Sequence, residues 1–131
     1  MIDGAFKTCV NATPWKMDLL QRSLYYLFSG SPARRKGYSR ITGSQVFPLQ
    51  FCSTLWIEDV PVSERVVEIW TNICKHIEDL EKRSKKPTNA SYGAGVRAVN
   101  DVFTLPKLHL FSAIAKCFTS FLEAFALRVH F

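Results

Sequence analysis

Apolar residues recur every three to four positions over most of the chain beyond Trp15, and that spacing predicts helices. The clearest run begins near Asp59. Val62, Val66, Ile69, Trp70, Ile73, Ile77 and Leu80 share one side, while Glu64, Arg65, Glu68, Thr71, Lys75, Glu78 and Glu81 fill the other. Asp59, Pro61 and Glu64 suit its first turn, where backbone N–H groups have no intrahelical acceptor. An earlier helix is predicted from Pro14 to Ser29, with Thr13 as its cap and Leu19, Leu20, Ser23, Leu24, Leu27 and Phe28 inward. Gly30 is placed to end it in a left-handed conformation.

Ser31-Pro32 repeats the start signal and predicts a short helix from Pro32 to Ile41, with Ala33, Tyr38 and Ile41 inward and Arg34, Arg35, Lys36 and Arg40 outward. Thr42 to Pro48 reads as a connector, and Leu49 to Leu55 as extended chain, at most one short orphan strand without a partner. Asn89-Ala90-Ser91 reads as a loop. Gly95 to Phe103, with Val96, Val99, Val102 and Phe103, predicts another short helix, which Thr104-Leu105-Pro106 breaks or bends. The last helix is predicted from Pro106 to about Val129, and its many phenylalanines call for cover. The expected fold is all-α, a single domain of four to five helices over residues 1–131, with an irregular start from Met1 to Ala12.

A content of 47% hydrophobic residues in 131 is enough to bury a core. The net charge of +6 favours an acidic partner such as nucleic acid. Two basic segments concentrate that charge. Arg34, Arg35, Lys36 and Arg40 form the first, and Lys82, Arg83, Lys85 and Lys86 the second. Both are candidate phosphate contacts, because cations so spaced displace condensed counterions. Solvated helix faces, and cations complementing a helix C-terminus, account for the same residues without a ligand. The four cysteines, Cys9, Cys52, Cys74 and Cys117, form no Cys-x-x-Cys pair and are expected as reduced thiols. No apolar run is expected to approach the roughly 20 residues of a membrane span. His76, His109 and His130 lack metal-ligand spacing, and no nucleophile triad or phosphate loop stands out, so no catalytic residue, metal or cofactor is expected. Tyr92-Gly93-Ala94-Gly95 lacks the third glycine and the preceding strand of a dinucleotide fingerprint.

Several segments occur in the order found in one family. Asp3-Gly4-Ala5-Phe6-Lys7-Thr8, Tyr25-Tyr26-Leu27-Phe28, Ser31-Pro32-Ala33-Arg34-Arg35, Ile41-Thr42-Gly43-Ser44, Phe47-Pro48-Leu49-Gln50-Phe51-Cys52, Glu58-Asp59-Val60-Pro61-Val62-Ser63-Glu64-Arg65, Ile69-Trp70 and Lys107-Leu108-His109-Leu110-Phe111 together resemble an internal stretch of transposases of the hAT superfamily. The resemblance implies a segment following a Cys-x-x-His motif and entering the helical insertion of an RNase H-like core. It lies between the acidic residues that bind divalent metal in that family, so it implies an inactive piece. In those transposases the tryptophan of an Arg-Trp motif stacks on a flipped base, and Trp56 takes that place, with Leu55 where the family has arginine. Stacking of that kind is worth roughly 1–3 kcal/mol per base.

The resemblance and the basic segments together lead to the expectation of residual DNA binding through Trp56 and the two basic segments, in the nucleus or cytoplasm. The rival expectation is a protein-contact or self-associating module built on Phe111, Phe118, Phe121 and Phe125, with no membrane role.

Overall fold

The computed structural model describes residues 17–51 and 59–129. Among them are five helices and no strand: α1 (Met17–Phe28), α2 (Pro32–Thr42), α3 (Asp59–Glu81), α4 (Ala90–Asn100) and α5 (Thr104–Val129). The all-α expectation holds. Residues 49–51 form no strand, and 52–55 lie outside the described residues, as do the expected cap Thr13 and Pro14 to Lys16 at the expected start of the first helix.

Helix α3 is the hub, packed against all four other helices. Its seven expected inward residues, Val62, Val66, Ile69, Trp70, Ile73, Ile77 and Leu80, are all buried. All of them but Val62 meet Leu20, Leu24 and Leu27 of α1, Tyr38 of α2, Tyr92 of α4, and Leu108, Phe111 and Ala115 of α5 in one core. Each such aliphatic or aromatic side chain contributes about 1.5–3 kcal/mol when taken out of water.

Helix ends follow local chemistry. Gly30, at φ +69°, turns the chain after α1, and Gly43, at φ +70°, closes α2 with its N–H on the Ser39 carbonyl. Ser31 caps α2 by accepting from the Arg34 N–H. The connector beyond Gly43 is held at two successive carbonyls. The Tyr38 hydroxyl donates to the Val46 carbonyl at 3.0 Å, and Arg65 donates to that of Phe47 at 2.9 Å.

Other expectations need correction. Leu19 is exposed, and Met17 and Gln21 take inward positions on α1 instead. Ala33 and Ile41 are exposed, leaving Tyr38 as the buried residue of α2. Helix α4 begins at Ala90 rather than Gly95, because Asn89 is a cap: its side chain accepts from the Tyr92 N–H at 2.8 Å. It ends at Asn100, so Val102 and Phe103 stand exposed in the turn that follows. The break between the last two helices falls at residues 101–103 rather than at Thr104-Leu105-Pro106; α5 begins at Thr104, and Pro106 lies in its first turn, where no N–H is required of it.

Two contacts mark where α4 and α1 meet α3. A side chain at Gly95 would place its first carbon 2.9 Å from the buried Ile77 Cδ1, so the end of Ile77 would have to shift to admit it. Between α1 and α3, the buried Ser63 hydroxyl donates to Gln21 Oε1 at 2.8 Å, while Gln21 Nε2 donates to the Met17 carbonyl at 3.1 Å. Gly95→Val is therefore expected to cost about 1–3 kcal/mol by overpacking. Gly93→Ala, which meets only the Arg97 guanidinium at 3.5 Å, is expected to add about 0.5–1 kcal/mol. Urea midpoints of the two variants check both. Ser63→Ala leaves a buried amide oxygen without its donor and is expected to cost about 1–3 kcal/mol. Adding Gln21→Leu should return part of that loss in a double-mutant cycle.

Candidate anion-binding cleft

The two basic segments lie more than forty residues apart in the chain, and the packing of α2 on α3 brings them together. A cleft of about 260 Å³ lies between α2 and the end of α3, lined among others by Arg34, Gly37, His76, Arg83, Lys85 and Lys86. A second depression of about 420 Å³ continues along the same side, lined by Ala33, Lys36, Gly37, Arg40 and Arg83. Six of the eight expected basic residues line one or the other, Arg34, Lys36, Arg40, Arg83, Lys85 and Lys86, and Arg83 lines both. Arg35 and Lys82 line neither. Trp56 lies outside the described residues.

Not all of this charge is uncommitted. Arg34 Nη1 donates to the Leu27 carbonyl and Arg35 Nε to that of Phe28, each at 3.1 Å, so both close the C-terminus of α1 from the following helix. Each guanidinium carries five N–H donors, and these contacts use one apiece. Arg83 pairs with Asp79 at 2.9 Å, and Lys86 with Glu81 at 2.7 Å. Lys36, Arg40, Lys82 and Lys85 are exposed and form no ion pair among the described residues. The Lys86 hydrogen bond holds the Glu81 carboxyl below the usual carboxylate range. Burial first, and Glu81 second, push the Tyr92 phenol up to about 12.

His76 forms part of the cleft wall, yet it is only 1% exposed, and neither ring nitrogen has a hydrogen-bond partner. Its ring sits in an aromatic cluster, with its centroid 5.4 Å from Phe28 and 5.7 Å from Tyr38, and Phe47 packs on both of those rings. Gly37 lies beside its Cε1 edge: a side-chain carbon added there would stand 3.8 Å away. Burial pushes the imidazole down to about 4; Asp79 opposes that shift, while Arg83 and Arg34 add to it. His76 lacks metal-ligand spacing, yet its position in the sequence is informative. It lies three residues after Ile73 and four before Leu80, within the buried stripe.

Elsewhere, Cys74 and Cys117 are free thiols, and burial followed by Glu78 raises the Cys74 pKa. Among the described residues no group of three or more His, Cys, Asp and Glu is arranged to hold a metal ion. The four phenylalanines named as a contact surface separate. Phe111 belongs to the core and Phe118 packs at its margin, whereas Phe121 and Phe125 are exposed and stacked, with centroids 6.5 Å apart. The stretch Thr104–Phe125 has the length and mean hydropathy, 1.2, of a membrane-crossing helix, contrary to expectation, and 24% of it is buried in the bundle.

No protein-family model, curated protein or solved structure matches this chain.

The His76 environment sets a pH dependence of stability. Its folded pKa lies below the ordinary value of 6.5, so the unfolded chain takes up the proton first as the pH falls. The contribution of neutral His76 is complete above about pH 6.5 and is lost as the pH falls toward 4. Between pH 7.5 and pH 5 this should remove about 2 kcal/mol. Urea unfolding in chloride buffers at the two pH values, for the wild type and His76→Phe, checks it: the variant is expected to lack this part of the loss.

Proposed function

We propose that the basic side formed by α2 and the segment after α3 binds the phosphate backbone of nucleic acid, with DNA as the first candidate, and that the chain catalyses no reaction itself. The observation that carries this reading is the joining of two sequence-distant basic segments along one pair of connected clefts. A merely solvated helix face has no need of such convergence. The likeness to hAT transposases adds a reason to place DNA ahead of RNA, and Trp56 is the expected stacking residue in that reading.

Lys36, Arg40 and Lys85 are the residues to test, because none of them holds α1 or an acidic neighbour among the described residues. Wild-type protein is expected to bind fluorescent duplex and hairpin-ended DNA with an affinity that falls steeply between 50 and 200 mM salt, roughly the range over which phosphate contacts of this kind are lost. The triple variant Lys36→Gln/Arg40→Gln/Lys85→Gln should reduce the slope of log K against log salt by about 3. Absence of binding at low salt, or an unchanged slope in the variant, would overturn the reading.

A second reading rests on Phe121 and Phe125, which stand 56% and 53% exposed beyond the packed part of α5. In this reading the far half of α5 associates with a second copy or a partner protein. Light scattering should then show association that is insensitive to salt and is lost in Phe121→Ser/Phe125→Ser.

A further inference from the structure

We propose that the cleft over His76 seats one phosphomonoester group, with an oxygen on a ring N–H of His76, and that seating it draws a proton onto that ring. The proposal rests on the reading of the basic side as a surface for phosphate ligands and adds which phosphate it selects.

His76 carries the inference. A buried polar group normally has a partner, and both ring nitrogens here lack one, although His76 is among the residues that line a cleft. The wall around it is cationic. Arg34 faces it from α2, and Arg83, just past the end of α3, pairs with Asp79 beside it. Lys85 and Lys86 contribute from the following segment, with Glu81 on Lys86. Tyr38 of α2 and Phe28 of α1 supply ring faces and no charge at neutral pH. These four cations against two carboxylates leave two positive charges, which suits a dianion.

Shape decides between kinds of phosphate. The ring lies below the surface under Gly37, so a ligand must project an oxygen inward to reach it. An internal phosphodiester has its two free oxygens flanked by sugars. A terminal phosphate has three free oxygens and one substituent, and it enters end-on. The same chemistry is shared by the 5′ end of a nucleic acid strand and by free inorganic phosphate.

Charge coupling follows from the burial. The imidazole is neutral without a ligand, its pKa held down to about 4. A dianion beside it favours the protonated ring, so binding takes up a proton and tightens as the pH falls from 7.5 toward 5.5. Sulfate is the probe for this effect, because it stays dianionic throughout that range.

The test combines three measurements on the full chain. In the first, the His76 ring signals are followed by NMR against pH, in sulfate and in chloride of equal ionic strength; sulfate is expected to raise the His76 midpoint by at least one pH unit. In the second, 5′-phosphorylated and 5′-hydroxyl oligonucleotides of the same sequence are compared, and the phosphorylated strand should bind about tenfold tighter. In the third, that preference should vanish in His76→Phe, which keeps the aromatic packing, and in Gly37→Ala, which covers the ring edge at ordinary contact distance.

An unmoved His76 midpoint, or a preference that survives both variants, overturns the seat. Equal, salt-dependent binding of the two strands also overturns it and leaves the DNA reading standing. A sulfate-shifted His76 in a protein that binds free phosphate but no oligonucleotide supports the seat and overturns the DNA reading.

Discussion

The buried stripe of α3 is the constraint on which the rest of the structure depends. Seven apolar residues at helical spacing, from Val62 to Leu80, leave no solvent-facing turn on that side, and all four other helices close over it. Gly95 of α4 meets the end of Ile77, and the Ser63–Gln21 bond gives α1 a polar register mark within an otherwise apolar contact. A misplaced α1 would strand both groups away from water, so the bond favours one alignment over its neighbours.

The basic clefts follow from that arrangement. Helix α2 lies on the last turns of α3 because Tyr38 enters the core, and its hydroxyl holds the connector through Val46. Arg34 and Arg35 both satisfy open carbonyls at the end of α1, and for Arg34 that also fixes the guanidinium in the cleft beside the cations that follow α3. Charge gathered in this way is held in place by backbone contacts and spends less conformational freedom on meeting a ligand than free side chains would.

Helix α5 is divided between two environments. Leu108, Phe111 and Ala115 complete the core, while Phe121 and Phe125 extend past it. Its apolar character is therefore part packing and part exposed surface, and composition alone does not separate the two. The same holds for cations. Arg34 and Lys36 look equivalent in a charge count, yet one caps a helix and the other forms no ion pair among the described residues.

The sequence by itself determined the fold class, the inward side of α3, and the turn at Gly30, because each depends on neighbours within a few residues: helical period, first-turn chemistry, and the freedom of glycine at positive φ. It also marked both basic segments. Local signals were incomplete where a residue's partner lies far along the chain. Leu19 fits the apolar side of α1 as well as Gln21 does not, yet Ser63 reaches Gln21 across the bundle and Leu19 stays outside. Asn89 read as a loop residue until its side chain met the Tyr92 N–H. Only the tertiary structure decided that residues 34–40 and 82–86 share a cleft and that His76 lies beneath it without a partner, because both depend on how α2 packs across α3, a long-range contact that no local periodicity encodes.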